Sequence, residues 1–263
     1  VTAEAGFAEP HRFTALEAIV PGVVAGITAV PPGDGAGSES DFGLATGGSA
    51  WDVMRRYEGL ARAVGASTVM VGRQVHGTRV VEAGAIQASG VHVVGEADGL
   101  MTSIPGILLA VTAADCVPVL VADVSGRCVA LVHAGWRGAV AGMLEAAVRA
   151  LGERFEVTPP DLAIFLGPAI CGDCYEVGAE VLRAFGKSDR GPAGLDLRSE
   201  LSQRAIESGV PRDRVMRSEW CTRCGPVTFH SHRGRGVDAG RMAAFLGLRG
   251  ESPAPELPAT AGA

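Results

Sequence analysis

Six histidines and six cysteines carry most of the chemical potential of this 263-residue chain. Histidine falls in a polar or glycine-flanked context, at the end of an expected strand, in three stretches. They are Gln74-Val75-His76-Gly77, His133-Ala134-Gly135-Trp136-Arg137-Gly138 and His230-Ser231-His232. A ring beside glycine at a strand end is open to approach, which suits a ligand or a base. Ala114-Asp115-Cys116 interrupts an otherwise apolar pair of strands. Burying an unpartnered carboxylate is costly, so Asp115 requires a partner or a solvent-lined cavity. The runs Val117–Asp123 and Cys128–His133 flank a Ser125-Gly126 turn, so they are expected to pair as a hairpin. That pairing brings Cys116 and His133 to one end. Such a pair supports two chemistries. With a second histidine it holds Zn²⁺ through one thiolate and two imidazole nitrogens, leaving a fourth position open. Alternatively, the histidine deprotonates the thiol to give a nucleophile. Spacing does not choose between them, nor does it exclude a buried free cysteine beside a hydrogen-bonded histidine.

A rival metal site comes from Cys171-Gly172-Asp173-Cys174 and Cys221-Thr222-Arg223-Cys224. Paired C-x-x-C motifs mark four-cysteine zinc sites, but 46 residues separate the pairs here, against about 15–20 in common ribbons. That spacing weighs against the site, and a redox C-x-x-C fits about as well. Arginines offer a further clue. Arg137 precedes an expected helix at Ala139, and Arg233, Arg235 and Arg241 cluster near another expected helix start. A helix N-terminus with arginine beside it suits phosphate. For Arg233 and Arg235, plain solubilising surface charge is an equal reading.

The elements that position these residues are mostly short. Strand-like runs recur at Val69–Val75, Arg79–Glu82, Ile107–Thr112, Val117–Asp123, Cys128–His133 and Leu162–Leu166. They are continuously apolar, as in strands covered on both faces. Helical patterns cover Trp51–Val64, Ala139–Phe155, Val177–Phe185, Leu197–Ser208 and Ala239–Leu246. Without regular βαβ alternation these predict a mixed α/β (α+β) architecture. One catalytic domain over 16–250 is expected, with a mobile N-terminal end over 1–15 and a disordered tail over 251–263. The balance of 23 Lys+Arg against 29 Asp+Glu disfavours a nucleic-acid partner. Gly106–Val121, the most apolar stretch, is broken by Asp115 and Pro118, so no membrane span is expected. Cysteine usage without a recognisable targeting signal predicts a cytoplasmic protein.

Several motifs then occur in a specific order. They are Gln74-Val75-His76-Gly77, Ala97-Asp98-Gly99, Ala114-Asp115-Cys116-Val117-Pro118, the His133–Gly138 segment, Gly167-Pro168-Ala169-Ile170, Cys174-Tyr175-Glu176-Val177 and Gly240-Arg241. From about Val69 to Leu248 the chain resembles the YfiH/YlmD family. Its members are named variously multicopper polyphenol oxidase (laccase), purine nucleoside phosphorylase and peptidoglycan editing factor. The resemblance implies a mixed β-sandwich wrapped by helices, similar to a toxin deamidase domain with a Cys/His dyad. It implies His76, Cys116 and His133 as metal ligands. It further implies a zinc-dependent enzyme that splits adenosine, inosine and methylthioadenosine with phosphate, with adenosine deamination as an additional activity. Two departures stand out. The arginine expected after Thr28 is Ala29, and Cys171-Gly172-Asp173 replaces a more usual Gly-Pro-Cys, so Asp173 is expected to alter the pocket rim.

A multicopper centre draws on many histidines, largely as H-x-H pairs, whereas this chain has six with a single such pair. Copper therefore remains only an alternative metal at the same site, and laccase-like oxidation an alternative activity. Zinc held by His76, Cys116 and His133 would acidify a bound water to about pH 7, suiting attack on C6 of adenine. Asp98 and Asp115 are the expected proton shuttles, unless they orient the metal histidines instead. For phosphorolysis, Arg137 and Arg241 are the expected phosphate-binding residues. Expected partners are a small nucleoside and phosphate, and the oligomeric state is not legible. Two other classes remain: a Cys116/His133 amidohydrolase acting on cell-wall precursors, and a non-enzymatic zinc protein.

Overall fold

In chain order the first strands are β1 (His11–Arg12), β2 (Val23–Ile27), β3 (Thr68–Arg73), β4 (Val80–Glu82), β5 (Gly90–Glu96), β6 (Gly99–Thr102) and β7 (Ile107–Ala113). Then come β8 (Val117–Asp123), β9 (Val129–Ala134), β10 (Leu162–Leu166), β11 (Glu176–Val177), β12 (Ala193–Gly194), β13 (Val215–Arg217) and β14 (Met242–Leu248). The helices are α1 (Thr14–Ile19), α2 (Ala50–Val64), α3 (Trp136–Ala141), α4 (Met143–Phe155), α5 (Ala179–Ala184), α6 (Leu197–Glu207) and α7 (His232–Arg235). This computed structural model describes residues 9–250 except Gly47, 85–87 and 189–190.

Two six-stranded sheets face each other, ordered β1-β2-β14-β7-β3-β5 and β13-β10-β8-β9-β6-β4. Between them lies an apolar layer that includes Leu109, Val111 and Leu246 from the first sheet and Leu120, Leu131 and Ala163 from the second. The outer face of the first sheet packs on α2 through Val53, Tyr57 and Leu60. The outer face of the second packs on α4 and α6 through Leu144, Leu151 and Leu201. Each central strand is thus buried on both faces, which is why its sequence reads as a continuous apolar run. The expected mixed sandwich wrapped by helices is the fold observed.

Three details depart from expectation. Ala239–Leu246 is not a helix: Met242–Leu248 is a central strand, paired antiparallel to both β2 and β7. The run Met-Ala-Ala-Phe-Leu-Gly-Leu has no polar face, so helical and strand periodicity are indistinguishable in it. A Cβ on Gly247 would lie 2.7 Å from the Ile107 carbonyl oxygen, so the glycine permits the close pairing. The expected helix over Ala139–Phe155 is two helices, α3 and α4, broken at Gly142, whose φ is +87°. Finally, the N-terminal end is built into the fold from His11: β1 pairs with β2 and Phe13 is buried. The expected tail over 251–263 and residues 1–8 lie outside the described residues.

The topology places the site. Strands β5 and β7 both run parallel to β3, so all three end at the same edge of the first sheet. Each chain exit there crosses to the second sheet: β3 to β4, β5 to β6 and β7 to β8. The three crossing loops carry His76, Asp98 and Cys116 respectively. The β8–β9 hairpin sets Pro118 opposite His133, as the short turn predicts, and so supplies the fourth residue.

Candidate active site

His133, the last residue but one of β9, has its ring buried, and its Nδ1 lies 2.9 Å from Asp98 Oδ1. A carboxylate only accepts, so the imidazole donates from Nδ1 and presents Nε2 to the other side. There it meets Cys116 and His76. The ligand atoms of His76, Cys116 and His133 all lie within 4.8 Å of one another. The two rings stand nearly perpendicular, with centroids 4.9 Å apart. His133 is buried, Cys116 half-buried and His76 exposed, so the cluster opens on one side. One thiolate and two imidazoles in such an arrangement fit a zinc ion with an open position.

Asp98 is the keystone of this geometry. It is fully buried, and each oxygen accepts two hydrogen bonds. Oδ1 takes the His76 N–H at 2.9 Å together with His133 Nδ1. Oδ2 takes the N–H groups of Val75 at 3.0 Å and Gly77 at 2.8 Å. Burial opposes ionisation, but the bonds from His133, Val75 and Gly77 hold the carboxyl below its ordinary range. One side chain therefore fixes the tautomer of one expected ligand and the backbone of the other, as outer partners do in metal sites. All four lone-pair positions of Asp98 are thus occupied by these donors.

Backbone strain marks both neighbouring turns. His76 has φ +60° and Asp115 φ +87°. Non-glycine residues rarely adopt these values without a compensating constraint. For His76 the constraint is Asp98. For Asp115, the carboxylate accepts Thr222 Oγ1 and the Arg233 N–H, each at 2.6 Å, and its carbonyl accepts the Ile170 N–H at 3.1 Å. Asp115 thus orients the turn that presents Cys116. Burial raises the Cys116 thiol pKa, but His133 and His76 outweigh it and draw the thiol toward the thiolate. Burial alone would lower the His133 pKa, yet the adjoining Cys116 and Asp98 push it up.

Gly135 leaves no room for a side chain. A Cβ there would lie 2.9 Å from both Cys116 Sγ and His76 Cδ2. Gly135→Ala is expected to displace both groups and sharply reduce the affinity of the cluster for a metal such as zinc. Zinc titration of the purified variant checks this, and wild-type affinity would contradict it.

Beside the cluster is a cavity of about 650 Å³ lined by His76, Cys116 and His133. Its wall also includes Thr46, Arg73, Gln74, Thr112, His232 and Arg241. Gln74 is stitched to β7: its Nε2 donates to the Thr112 carbonyl, and its Oε1 accepts the Thr112 N–H and hydroxyl. Arg73 pairs with Glu96. Arg241 enters the cavity from the turn before β14, not from a helix start, and its Nη1 donates to the carbonyls of Ala239 and Gly240. Arg137 is not among the residues that line this cavity. It is the second residue of the short helix α3, exposed, with its guanidinium 4.3 Å over the Trp136 ring. Asp173, expected at the pocket rim, is exposed and is not among the residues lining this cavity. His230 is buried against Ser40 and takes no part in the cluster. Sequence reasoning missed Gln74, Thr112 and His232, although Gln74 and His232 lie within motifs already singled out.

Residues 33–249 match the family model described as multi-copper polyphenol oxidoreductase laccase. The chain belongs to this family. YfiH/YlmD is its other name, and the order of motifs agrees with it. A curated relative, purine nucleoside phosphorylase YlmD of Geobacillus stearothermophilus, is 32% identical over 252 residues, covering 88% of this chain and 92% of that protein. A purine nucleoside phosphorylase of Xylella fastidiosa strain Temecula1 is 37% identical over 183 residues, covering 65% and 68%. A protein named adenosine deaminase, from an unknown prokaryotic organism, is 36% identical over 163 residues. That match spans 57% of this chain and 61% of the relative's length. The crystal structure of YlmD from Geobacillus stearothermophilus superposes with a TM-score of 0.77 at 30% identity, covering 88% of this chain and 93% of that one. No helix among the described residues is long and apolar enough to cross a membrane.

Proposed function

We propose that this YfiH/YlmD-family protein is a zinc-dependent purine nucleoside phosphorylase whose metal ligands are His76, Cys116 and His133. The observation that carries the reading is the convergence of one thiol and two imidazoles at the wall of a nucleoside-sized cavity. The relatives named purine nucleoside phosphorylase support the substrate class. When bound, zinc supplies Lewis acidity at its open position. The chain's own residues do the rest. Asp98 holds His133 and the His76 backbone in place, and Asp115 holds the turn before Cys116. Arg241 binds phosphate in the same cavity, its guanidinium anchored by the Ala239 and Gly240 carbonyls. Phosphorolysis forms a bond between a phosphate oxygen and C1′ of the ribose. The C1′–N9 bond breaks with its electron pair leaving on the purine, which takes up the proton released by dihydrogen phosphate.

Phosphorolysis is favoured over deamination because Asp98 and Asp115 are already committed to hydrogen bonds. Zinc deaminases use a carboxylate as a mobile acid/base beside the metal. Of the two arginines expected from sequence to bind phosphate, Arg241 is favoured, because it lines the cavity while Arg137 is stacked on Trp136. In the test, Arg241→Ala keeps the backbone N–H that binds Asp41 but removes the guanidinium. Losing a charge-assisted contact worth about 1.5–3 kcal/mol is expected to raise the KM for phosphate about 10- to 100-fold. The KM for adenosine should change little. An unchanged phosphate KM would contradict this assignment.

A second reading has one observation in its favour. Cys116, His133 and Asp98 also lie in the order of a thiol nucleophile, its base and the group that orients the base. The second imidazole of His76 at the same thiol favours the metal.

A further inference from the structure

The two C-x-x-C pairs, which their spacing keeps apart in sequence, meet in the fold. Strands β10 and β13 are parallel neighbours, with Leu166 opposite Arg217, so the chain leaves both at the same sheet end. Cys171 follows β10 by five residues and Cys221 follows β13 by four. A further bridge joins Ala169 to Cys221, and the Thr222 N–H donates to the Ala169 carbonyl at 3.2 Å. The Sγ atoms of Cys171, Cys174, Cys221 and Cys224 consequently all lie within 4.8 Å of one another. All four are free thiols.

We propose that these four cysteines form a second metal site, which holds one structural Zn²⁺ and clamps the two loops that fix Asp115. Four sulfurs at zinc-bonding distance around a tetrahedral ion lie about 3.8 Å apart. Cys171 Sγ and Cys224 Sγ are 3.8 Å apart. The surrounding backbone is arranged to support thiolates. The N–H groups of Cys171 and Arg223 point at Cys221 Sγ, at 3.3 and 3.4 Å. Tight turns close each knuckle, from the Cys174 N–H to the Cys171 carbonyl at 3.1 Å and from the Gly225 N–H to the Cys221 carbonyl at 3.0 Å. Soft sulfur donors in a four-coordinate cage select zinc over the hard cations. Binding drives the remaining thiol protons into solvent and leaves a site of net charge −2, which those N–H groups partly offset.

The position of the clamp gives it a purpose. Ile170, adjacent to Cys171, donates its N–H to the Asp115 carbonyl, and Thr222, between Cys221 and Cys224, donates its hydroxyl to the Asp115 carboxylate. The site therefore braces the strained turn that presents Cys116 without touching the cavity. It uses none of the residues of the proposed phosphorylase centre and does not rest on that reading.

Zinc counted per chain by elemental analysis, after loading and desalting, tests the proposal. The expected values are two in the wild type, one in Cys116→Ala and one in Cys171→Ser/Cys224→Ser. One zinc in the wild type and none in Cys116→Ala would overturn the second site and leave the cavity site standing. One in Cys116→Ala and none in the double variant would support the second site and count against the cavity site. Iron in place of zinc would overturn the metal assignment. Should the double variant not fold, cobalt loading of Cys116→Ala gives an independent reading. That variant keeps only imidazoles at the cavity, so intense sulfur-to-cobalt absorption is expected from the four cysteines, and its absence would overturn the site. Chelation of Cys116→Ala is expected to lower its unfolding midpoint, because structural zinc binding is linked to folding. An unchanged midpoint would overturn the clamp.

Discussion

Cys116→Ala is expected to empty the cavity of zinc and to lower phosphorolysis by more than the roughly 10- to 100-fold that loss of an outer metal partner costs. The substitution removes the only thiolate from a set of three donors, and two imidazoles alone bind zinc weakly. The fold should persist, because Cys116 lies in the turn between β7 and β8 and outside the apolar layers. The same residue separates the two catalytic readings. Alkylation of Cys116 is expected to be fast in metal-free protein and strongly slowed by zinc, since a ligated thiolate is shielded. Equal rates with and without zinc would point to a nucleophile. Activity of metal-free protein matching that of the zinc-loaded protein would do the same.

The other large effect is expected at Asp98, which is bonded to His133 and the His76 backbone and is not among the residues lining the cavity. Asp98→Asn replaces one acceptor oxygen with an amide that must face a backbone N–H or His133. Removing one partner of a buried charged network costs about 3–5 kcal/mol. A fall in Tm of about 10 °C is therefore expected for a chain of this size. Zinc affinity and kcat/KM of the folded fraction should drop about 10- to 100-fold together. Calorimetry alongside zinc titration checks this. Lost stability with wild-type zinc affinity would show that Asp98 supports the loops and does not orient the ligands.

The local hairpin logic needed nothing beyond a short turn, so the pairing of Cys116 with His133 was legible from spacing. His76 was assigned as the third ligand only by resemblance, because its loop arrives by a sheet crossing that no local pattern encodes. The same limit explains the cysteine pairs. Their meeting depends on the parallel pairing of β10 with β13, a contact between residues about 50 positions apart. Arg137 shows a different limit. Its position near a helix start is legible from sequence, but its stacking on the neighbouring Trp136 ring is not. The strand Met242–Leu248 read as a helix because a segment buried on both faces needs no polar stripe. The hydrogen bonds of Asp98 to three successive backbone N–H groups have no sequence signature, so from sequence alone its acid/base and orienting readings stand side by side.

The most direct measurement of the central claim follows the oxygen atoms. Zinc-loaded enzyme is incubated with adenosine and phosphate carrying four ¹⁸O atoms, and the products are weighed by mass spectrometry. Attack of phosphate on C1′ predicts adenine with an equal amount of ribose 1-phosphate that retains all four labelled oxygens. Inosine with its glycosidic bond intact, or free ribose formed without phosphate, would contradict it.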